Sequence, residues 1–139
     1  LEFTLEQMAL SGLRDHLDGG FFRYCVDDAW TIPHFEKMLY DNAMLLPLYA
    51  EGAARRGNGL MRSAAEGIAD WLDGVMKQAT GAYAASIDAD AAGEEGGFHV
   101  WTPEHVGVVL SGPELELALR AFGLDRPPNF EGRAWHLLR

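Results

Sequence analysis

The sequence predicts a mainly α fold, built from helical hairpins and interrupted by one short β-hairpin near residues 82–101. Three observations predict it. Apolar residues recur at three- and four-residue spacing through most of the first half of the chain. Start and stop signals for helices fall between those stretches. After Thr80 and Gly81 the period changes, and short apolar runs flank a polar loop.

Residues 4–17 place Leu5, Met8, Gly12, Leu13, His16 and Leu17 on one helical face, with Thr4 as N-cap and Gln7 closing a capping box. Asp18-Gly19-Gly20 ends that helix. Residues 21–32 mix aromatics with charges and read as a loop. Pro33 suits the first turn of a second helix, and Phe35, Met38, Leu39, Asn42, Leu45, Leu46, Tyr49 and Ala53 mark its face as far as Arg56. Pro47 lies inside it and is expected to kink it. Gly57-Asn58-Gly59 is short enough to make consecutive helices neighbours. The third helix covers 60–77, with Met61, Ala65, Ile68, Leu72, Val75 and Met76 on its apolar side. Gly67 and Gly74 each cost about 1 kcal/mol relative to alanine there, which close helix contact would offset. Residues 82–87 and 97–101 read as the two strands, around a polar 88–96 loop. Thr102-Pro103-Glu104 opens a fourth helix that ends near Leu110. A last helix runs over 113–122 and stops at Gly123.

Eleven Lys and Arg against 21 Asp and Glu leave a net charge of -10, which excludes a phosphate-backbone binder and an anionic membrane surface. The longest apolar run, 43–50, is far short of the roughly 20 residues a bilayer span needs. With one cysteine, Cys25, there is no intrachain disulfide and no Cys-x-x-Cys motif, and a reducing, cytoplasmic setting is expected. The chain opens without Met or a secretory pattern, and both ends are read as cut from a longer chain.

The densest chemistry lies between Gly19 and Asn42. Arg23, Tyr24, Trp30, His34, Glu36 and Asp41 fall close together there. At a helix start the dipole favours an ionised Glu36 and a neutral His34, a pair suited to general acid–base work, with Tyr24 or Trp30 stacking on a sugar ring. The competing reading makes Glu36 a helix-end charge, His34 and Asp41 buried hydrogen-bonding residues, and the aromatics core. His16 reads as a core histidine, and Arg14 and Asp15 as a solvated or pairing face. Asp88, Asp90 and Gly93 fit positions 1, 3 and 6 of a calcium loop. Ala92 at position 5 and His99 at position 12 do not, so the loop is expected to present Asp88, Asp90, Glu94 and Glu95 to a cavity or to solvent. His34-x-Glu36 lacks the second histidine of a zinc signature. No nucleotide, dinucleotide or serine-hydrolase motif is present, and neither a metal nor a cofactor is expected.

Four stretches together resemble one family. They are Asp15-His16-Leu17-Asp18-Gly19-Gly20-Phe21-Phe22-Arg23-Tyr24; Trp30-Thr31-Ile32-Pro33-His34-Phe35-Glu36-Lys37-Met38-Leu39-Tyr40-Asp41-Asn42; the run from Asp88-Ala89-Asp90 through Glu94-Glu95-Gly96 to Trp101-Thr102; and Asn129-Phe130-Glu131-Gly132 with His136. They resemble the thioredoxin-domain-containing proteins related to spermatogenesis-associated protein 20. The resemblance implies part of an (α/α)6 toroid similar to N-acylglucosamine 2-epimerase and six-hairpin glycosidase folds. The thioredoxin-like domain of the full-length chain would be absent here and would be its partner. It also implies a carbohydrate-related role, through sugar isomerisation or epimerisation or through glycoside processing, with no substrate carried over. On that reading His34, Glu36 and Asp41 are catalytic, and Arg23, Tyr24, Trp30, Asp88 and Asp90 bind a sugar or other small polar ligand. The alternative is a non-enzymatic, partner-binding toroid. Phe22 and Asp18 depart from the family pattern, which has His and Gly there, so no role of that histidine is carried over.

Overall fold

The computed structural model describes residues 1–91 and 93–139. Among these, five α-helices are joined by short antiparallel strand pairs, so the fold is mixed, with helices as its largest component. Helix α1 spans Glu2–Leu10, α2 Leu39–Arg56, α3 Gly59–Trp71, α4 Pro103–Val109 and α5 Gly112–Ala121. A π-helical turn, Leu72–Met76, continues α3. The strands are β1 Tyr24–Cys25, β2 Pro33–His34, β3 Lys37–Met38, β4 Ser86–Ile87, β5 Asp90–Ala91, β6 Glu94–Glu95, β7 Val100–Trp101 and β8 Trp135–His136.

The core lies in three clusters. The first packs Leu5, Ala9, Leu13 and Phe21 against Tyr49 and Ala53 of α2 and Met61, Ala64 and Ile68 of α3. Helices α2 and α3 form a hairpin across Gly57, left-handed at φ 63°, and Asn58, whose side chain accepts from the Leu60 and Met61 amides. The second cluster joins Phe22, Phe35 and Ala89, and the third gathers α4, α5 and Leu137. Thr102 caps α4 through a bond from the His105 amide, and Gly123 follows α5 at φ 76°. Both agree with the expectation.

Three expectations are corrected. Helix α1 begins at Glu2, without a side-chain cap at Thr4, and ends at Leu10 rather than continuing to Leu17. The Ser11 hydroxyl donates to the Met8 carbonyl and accepts from the Leu13 amide, which turns the chain out of the helix. Gly12 then lies against the Thr31 carbonyl so closely that any Cβ would collide. Arg14 and Asp15 are consequently buried, not solvated. Arg14 donates to the Ser63 carbonyl and hydroxyl on α3.

Residues 33–38, read as the start of the second helix, are extended. Burial alternates along them: Pro33, Phe35 and Lys37 are buried, while His34, Glu36 and Met38 are partly exposed. The helix begins only at Leu39. Asn42 in its first turn bonds to Phe21 on both sides, accepting from its amide at 2.7 Å and donating to its carbonyl at 2.9 Å.

The third correction concerns the β-hairpin. The predicted strands exist in part but pair elsewhere: β4 with β3, and β7 with β8. The hairpin present in this region is β5–β6, inside the acidic loop. Ala92, the position that breaks the calcium pattern, lies outside the described residues. Of the two helix glycines, Gly67 lies against Gly19 and the Arg14 side chain of the turn after α1 and not against another helix, and Gly74 meets nothing within 4 Å.

One contact ties these pieces together. Lys37 Nζ donates to Asp15 Oδ2 at 2.6 Å and to the Gly19 carbonyl at 2.9 Å, with both charged side chains buried. Lys37→Met leaves a buried carboxylate without its cation, and the expected loss is about 3–5 kcal/mol. Urea unfolding of this variant beside Lys37→Met/Asp15→Leu checks it. The double variant should recover much of the loss, because it removes the stranded charge as well.

Candidate functional site

Strand alternation places His34 and Glu36 side by side on the outer face of 33–38, and the β1–β2 pairing sets Tyr24 opposite His34. Arg23 Nη1 donates to Glu36 Oε2 at 2.9 Å, and the Arg23 amide donates to the Glu36 carbonyl. His34 Nε2 stands 3.8 Å from the same carboxylate oxygen, and its Nδ1 lies 2.9 Å from Glu95 Oε1. The Tyr24 ring stacks on His34 with centroids 5.1 Å apart and planes at 20°. Glu36, followed by Tyr40, stabilises the Arg23 cation and raises its pKa.

Asp41 stands in the first turn of α2, beside this network. Burial raises its carboxyl pKa; the Arg23 charge opposes the rise and the Glu36 charge adds to it. Its Oδ2 is buried without a protein partner. Arg23, Tyr24, His34, Glu36 and Asp41 therefore form one surface-accessible cluster, and Glu95 joins it from the acidic loop through His34.

Trp30, Asp88 and Asp90 are placed differently. Trp30 sits in the loop between β1 and β2, in the left-handed region at φ 57°. The Asp27 carboxylate accepts from the Ala29, Thr31 and Ile32 amides and holds that loop. Trp30 itself bonds through its backbone to Asp27 and Gly12. Because β4 pairs with β3, the acidic loop leaves from the Lys37 side of the molecule. Asp88 and Asp90 line a cavity of about 450 Å³ with Lys37, Trp71, Phe98 and His99, not with Glu36.

A second cavity, of about 320 Å³, adjoins it, sharing Asp18, Phe98 and His99. Its walls include Asp15, His16, Phe22 and His136. Burial opposes ionisation of Asp15, but the His99 hydrogen bond and the Lys37 charge outweigh it and hold the carboxyl well below the usual range. Burial draws Lys37 below its ordinary value, with Asp15 opposing. At 2.6 Å the geometry is that of an ion pair. His99 Nδ1 approaches Asp15 Oδ2 at 3.4 Å, and its ring lies parallel to Phe35 at 5.7 Å.

His136 is 3% exposed. Asn129 bonds its backbone on both sides, and its Nε2 lies 2.7 Å from the Gly12 carbonyl, to which it donates. Burial lowers its pKa to about 4, against the effect of the Gly12 and His99 carbonyls. His16, expected on a helix, instead lies in the turn after α1 and bonds through Nε2 to the Ser11 carbonyl. Burial lowers it to about 4 as well, with Arg14, His136 and Arg139 adding to the effect. Phe22, the departure from the family pattern, lies in this wall, its ring edge-on to His99 at 4.9 Å.

Sequence reasoning missed Lys37, His99 and His136 as site-forming residues. The available signal was period two: Pro33, Phe35 and Lys37 share a parity, which puts a lysine among core residues. Among the described residues, no cluster of His, Cys, Asp and Glu is arranged to hold a metal, and no helix is long and apolar enough to cross a membrane.

No family model matches the sequence. The chain is 34% identical to human spermatogenesis-associated protein 20 over 141 residues, which cover 91% of this chain and 18% of the relative. It is 37% identical to the rat protein of the same name over the same shares, and 35% identical to an uncharacterized protein of Caenorhabditis elegans over 83% of this chain. Homology to spermatogenesis-associated protein 20 thus extends over most of the chain, which spans about 18% of that relative's length.

The buried imidazoles make stability depend on pH. His16 and His136 fall from 6.5 to about 4 on folding, so between those values the unfolded chain binds more protons and stability declines as pH drops. Each contributes up to about 1.4 kcal/mol per pH unit within that window. Urea midpoints measured from about pH 7 to about pH 5 should fall steadily, and His136→Gln should flatten the slope by roughly half.

Proposed function

We propose that this chain, homologous over most of its length to spermatogenesis-associated protein 20, forms part of an α/α-toroid domain that moves a proton on a sugar-class substrate. The observation that carries this reading is the outer cluster: Arg23, Tyr24, His34, Glu36 and Asp41 converge on one accessible surface. His34, braced between Glu36 and Glu95, takes a proton from the carbon beside a carbonyl, and Arg23 balances the charge that develops on oxygen. Asp41, in its protonated form, donates the replacement proton, its affinity raised by burial and by Glu36, and His34 passes the proton it took to solvent. Tyr24 offers the sugar an aromatic face.

Isomerisation or epimerisation is favoured over glycoside cleavage, because Asp88 and Asp90 line a different cavity from Glu36 and do not face it as a second carboxylate. The toroid reading draws support from the α2–α3 hairpin and from exposed apolar side chains on its helices. Met44 is 70% exposed, Val108 84% and Leu117 63%, faces that further hairpins of a longer chain would cover. In that longer chain the thioredoxin-like domain is the proposed neighbour. One observation favours the non-enzymatic alternative: Glu36 is already engaged by Arg23, as an architectural ion pair would be.

Solvent deuterium exchange distinguishes the two. The full-length parent protein, incubated in heavy water with a panel of aldoses, ketoses and N-acylated amino sugars, should wash deuterium into the carbon beside the carbonyl of at least one. Glu36→Gln should slow that exchange by about a hundredfold or more without changing the circular dichroism spectrum. Failure to exchange with every sugar, in a folded protein, leaves the scaffold reading in its place.

A further inference from the structure

Glu95 is carried to the outer cluster by the acidic loop, and the way it arrives determines which atom of His34 can work as a base. Gly96, the next residue, is in the left-handed region at φ 70°. It lies against the Phe35 ring so closely that a Cβ would come within 2.5 Å of Cε2. Phe35 is fully buried and directly follows His34. Contact between these two neighbours sets Glu95 beside His34. The Gly96 amide also donates to the carbonyl of buried Ala89 at 2.9 Å, which closes the β5–β6 hairpin from behind. Glu94 adds a looser tie, 4.0 Å from Arg133.

At the imidazole the contacts are unequal. Nδ1 stands 2.9 Å from Glu95 Oε1, a hydrogen-bond distance. Nε2 stands 3.8 Å from Glu36 Oε2, beyond one, and that oxygen already accepts from Arg23 Nη1. A carboxylate only accepts, so Nδ1 carries the proton in this contact. A neutral imidazole has one such proton, which leaves the lone pair on Nε2. The Tyr24 ring, stacked on His34 with planes at 20°, holds the orientation that both contacts need. The His34 and Glu36 side chains keep 30% and 23% of their surface exposed. An exposed histidine–carboxylate contact adds little to stability. Its effect lies in choosing between two tautomers of similar energy, where a fixed acceptor at one nitrogen decides.

We propose that Glu95 is a positioning residue of the outer cluster: it keeps the proton of neutral His34 on Nδ1, so that Nε2, beside Glu36, is the atom that accepts a proton from substrate. The inference rests on the acid–base reading for its catalytic meaning, whereas the tautomer it assigns is a property of the resting protein. In the step itself the substrate C–H bond breaks and an Nε2–H bond forms. The electron pair stays on the substrate as its enolate, and the imidazolium keeps its Nδ1–H bond to Glu95, which takes no proton.

The test is solid-state ¹⁵N NMR of the full-length parent protein, labelled in its histidine rings and held at about pH 8.5, where imidazole is ordinarily neutral. A difference spectrum against His34→Gln isolates the His34 signals. The expected result is a protonated Nδ1 and an unprotonated, pyridine-type Nε2. Glu95→Ala, a change at a half-exposed side chain, should shift His34 toward the Nε2–H tautomer that free histidine side chains favour. Glu94→Ala, which removes the neighbouring carboxylate of the same hairpin, should not. In the heavy-water assay Glu95→Ala should slow exchange about ten- to a hundredfold. An Nε2–H tautomer in the unaltered protein overturns the proposal, as does a tautomer that Glu95→Ala leaves in place or that Glu94→Ala also reverses. So does exchange at the unaltered rate in Glu95→Ala. Absence of exchange with every sugar overturns the acid–base reading and the catalytic meaning of Glu95 with it, while the tautomer, read with no substrate present, still decides whether Glu95 orients His34.

Discussion

The contact between Lys37 and Asp15 decides where the remaining parts can go. Asp15 spends Oδ1 on the Leu17 and Asp18 amides and Oδ2 on Lys37, so the turn after α1 has one shape while the pair stands. Lys37 reaches it from β3 and also binds the Gly19 carbonyl. Its ammonium lies 5.0 Å from the Phe22 ring centroid and 5.2 Å from that of Trp71. The turn, β3, α3 and the His99 segment therefore meet at one buried point. Burying two charges gains little stability over a well-packed apolar substitute. What it contributes here is registry, because an ammonium with two oxygens and two ring faces to satisfy tolerates no slip of β3 by one residue.

That registry also builds the outer cluster. A strand presents alternate residues to opposite faces, so fixing Lys37 inward fixes Glu36 and His34 outward. The six residues 33–38 are thus core on one side and candidate chemistry on the other. Arg23 meets Glu36 because β1 pairs with β2, and Glu95 reaches His34 because β5–β6 folds back from the Lys37 side. A change at the buried pair should therefore displace surface groups that it never touches.

The long helices were legible because each carries several turns of periodic apolar residues and a distinct end signal. Gly57 and Thr102 stand where the end signals of α2 and α4 were expected. The extended segments were not legible in the same way. Strands of two residues hold too little alternation to detect, and pairings such as Met38 with Ser86 or Trp101 with Trp135 leave no local trace. Residues 33–38 misled for a definite reason: Pro33 satisfies the rule for a helix start as well as the rule for an extended residue. The outer cluster survived that error. His34 and Glu36 are neighbours at a spacing of two along a strand, whereas the helix-dipole argument for pairing them does not hold. Asp88 and Asp90 could not be placed without knowing that β4 pairs with β3. Asp15 is buried by Lys37, 22 residues away in sequence, which no periodic pattern announces.

The two candidate sites make opposite use of the hub. The outer cluster is charged and wet, and its groups already answer one another, so a substrate there must compete with the Arg23–Glu36 pair. The inner cavity has the Lys37–Asp15 charges paired in its floor, and burial keeps the His16 and His136 imidazoles in its wall neutral. That wall runs from the end of α1 through Gly12 and His136 to β8, and the bond that His136 donates to the Gly12 carbonyl joins the turn after the first helix to the last strand. The net charge of -10 works against an anionic ligand at the outer cluster and the inner cavity alike.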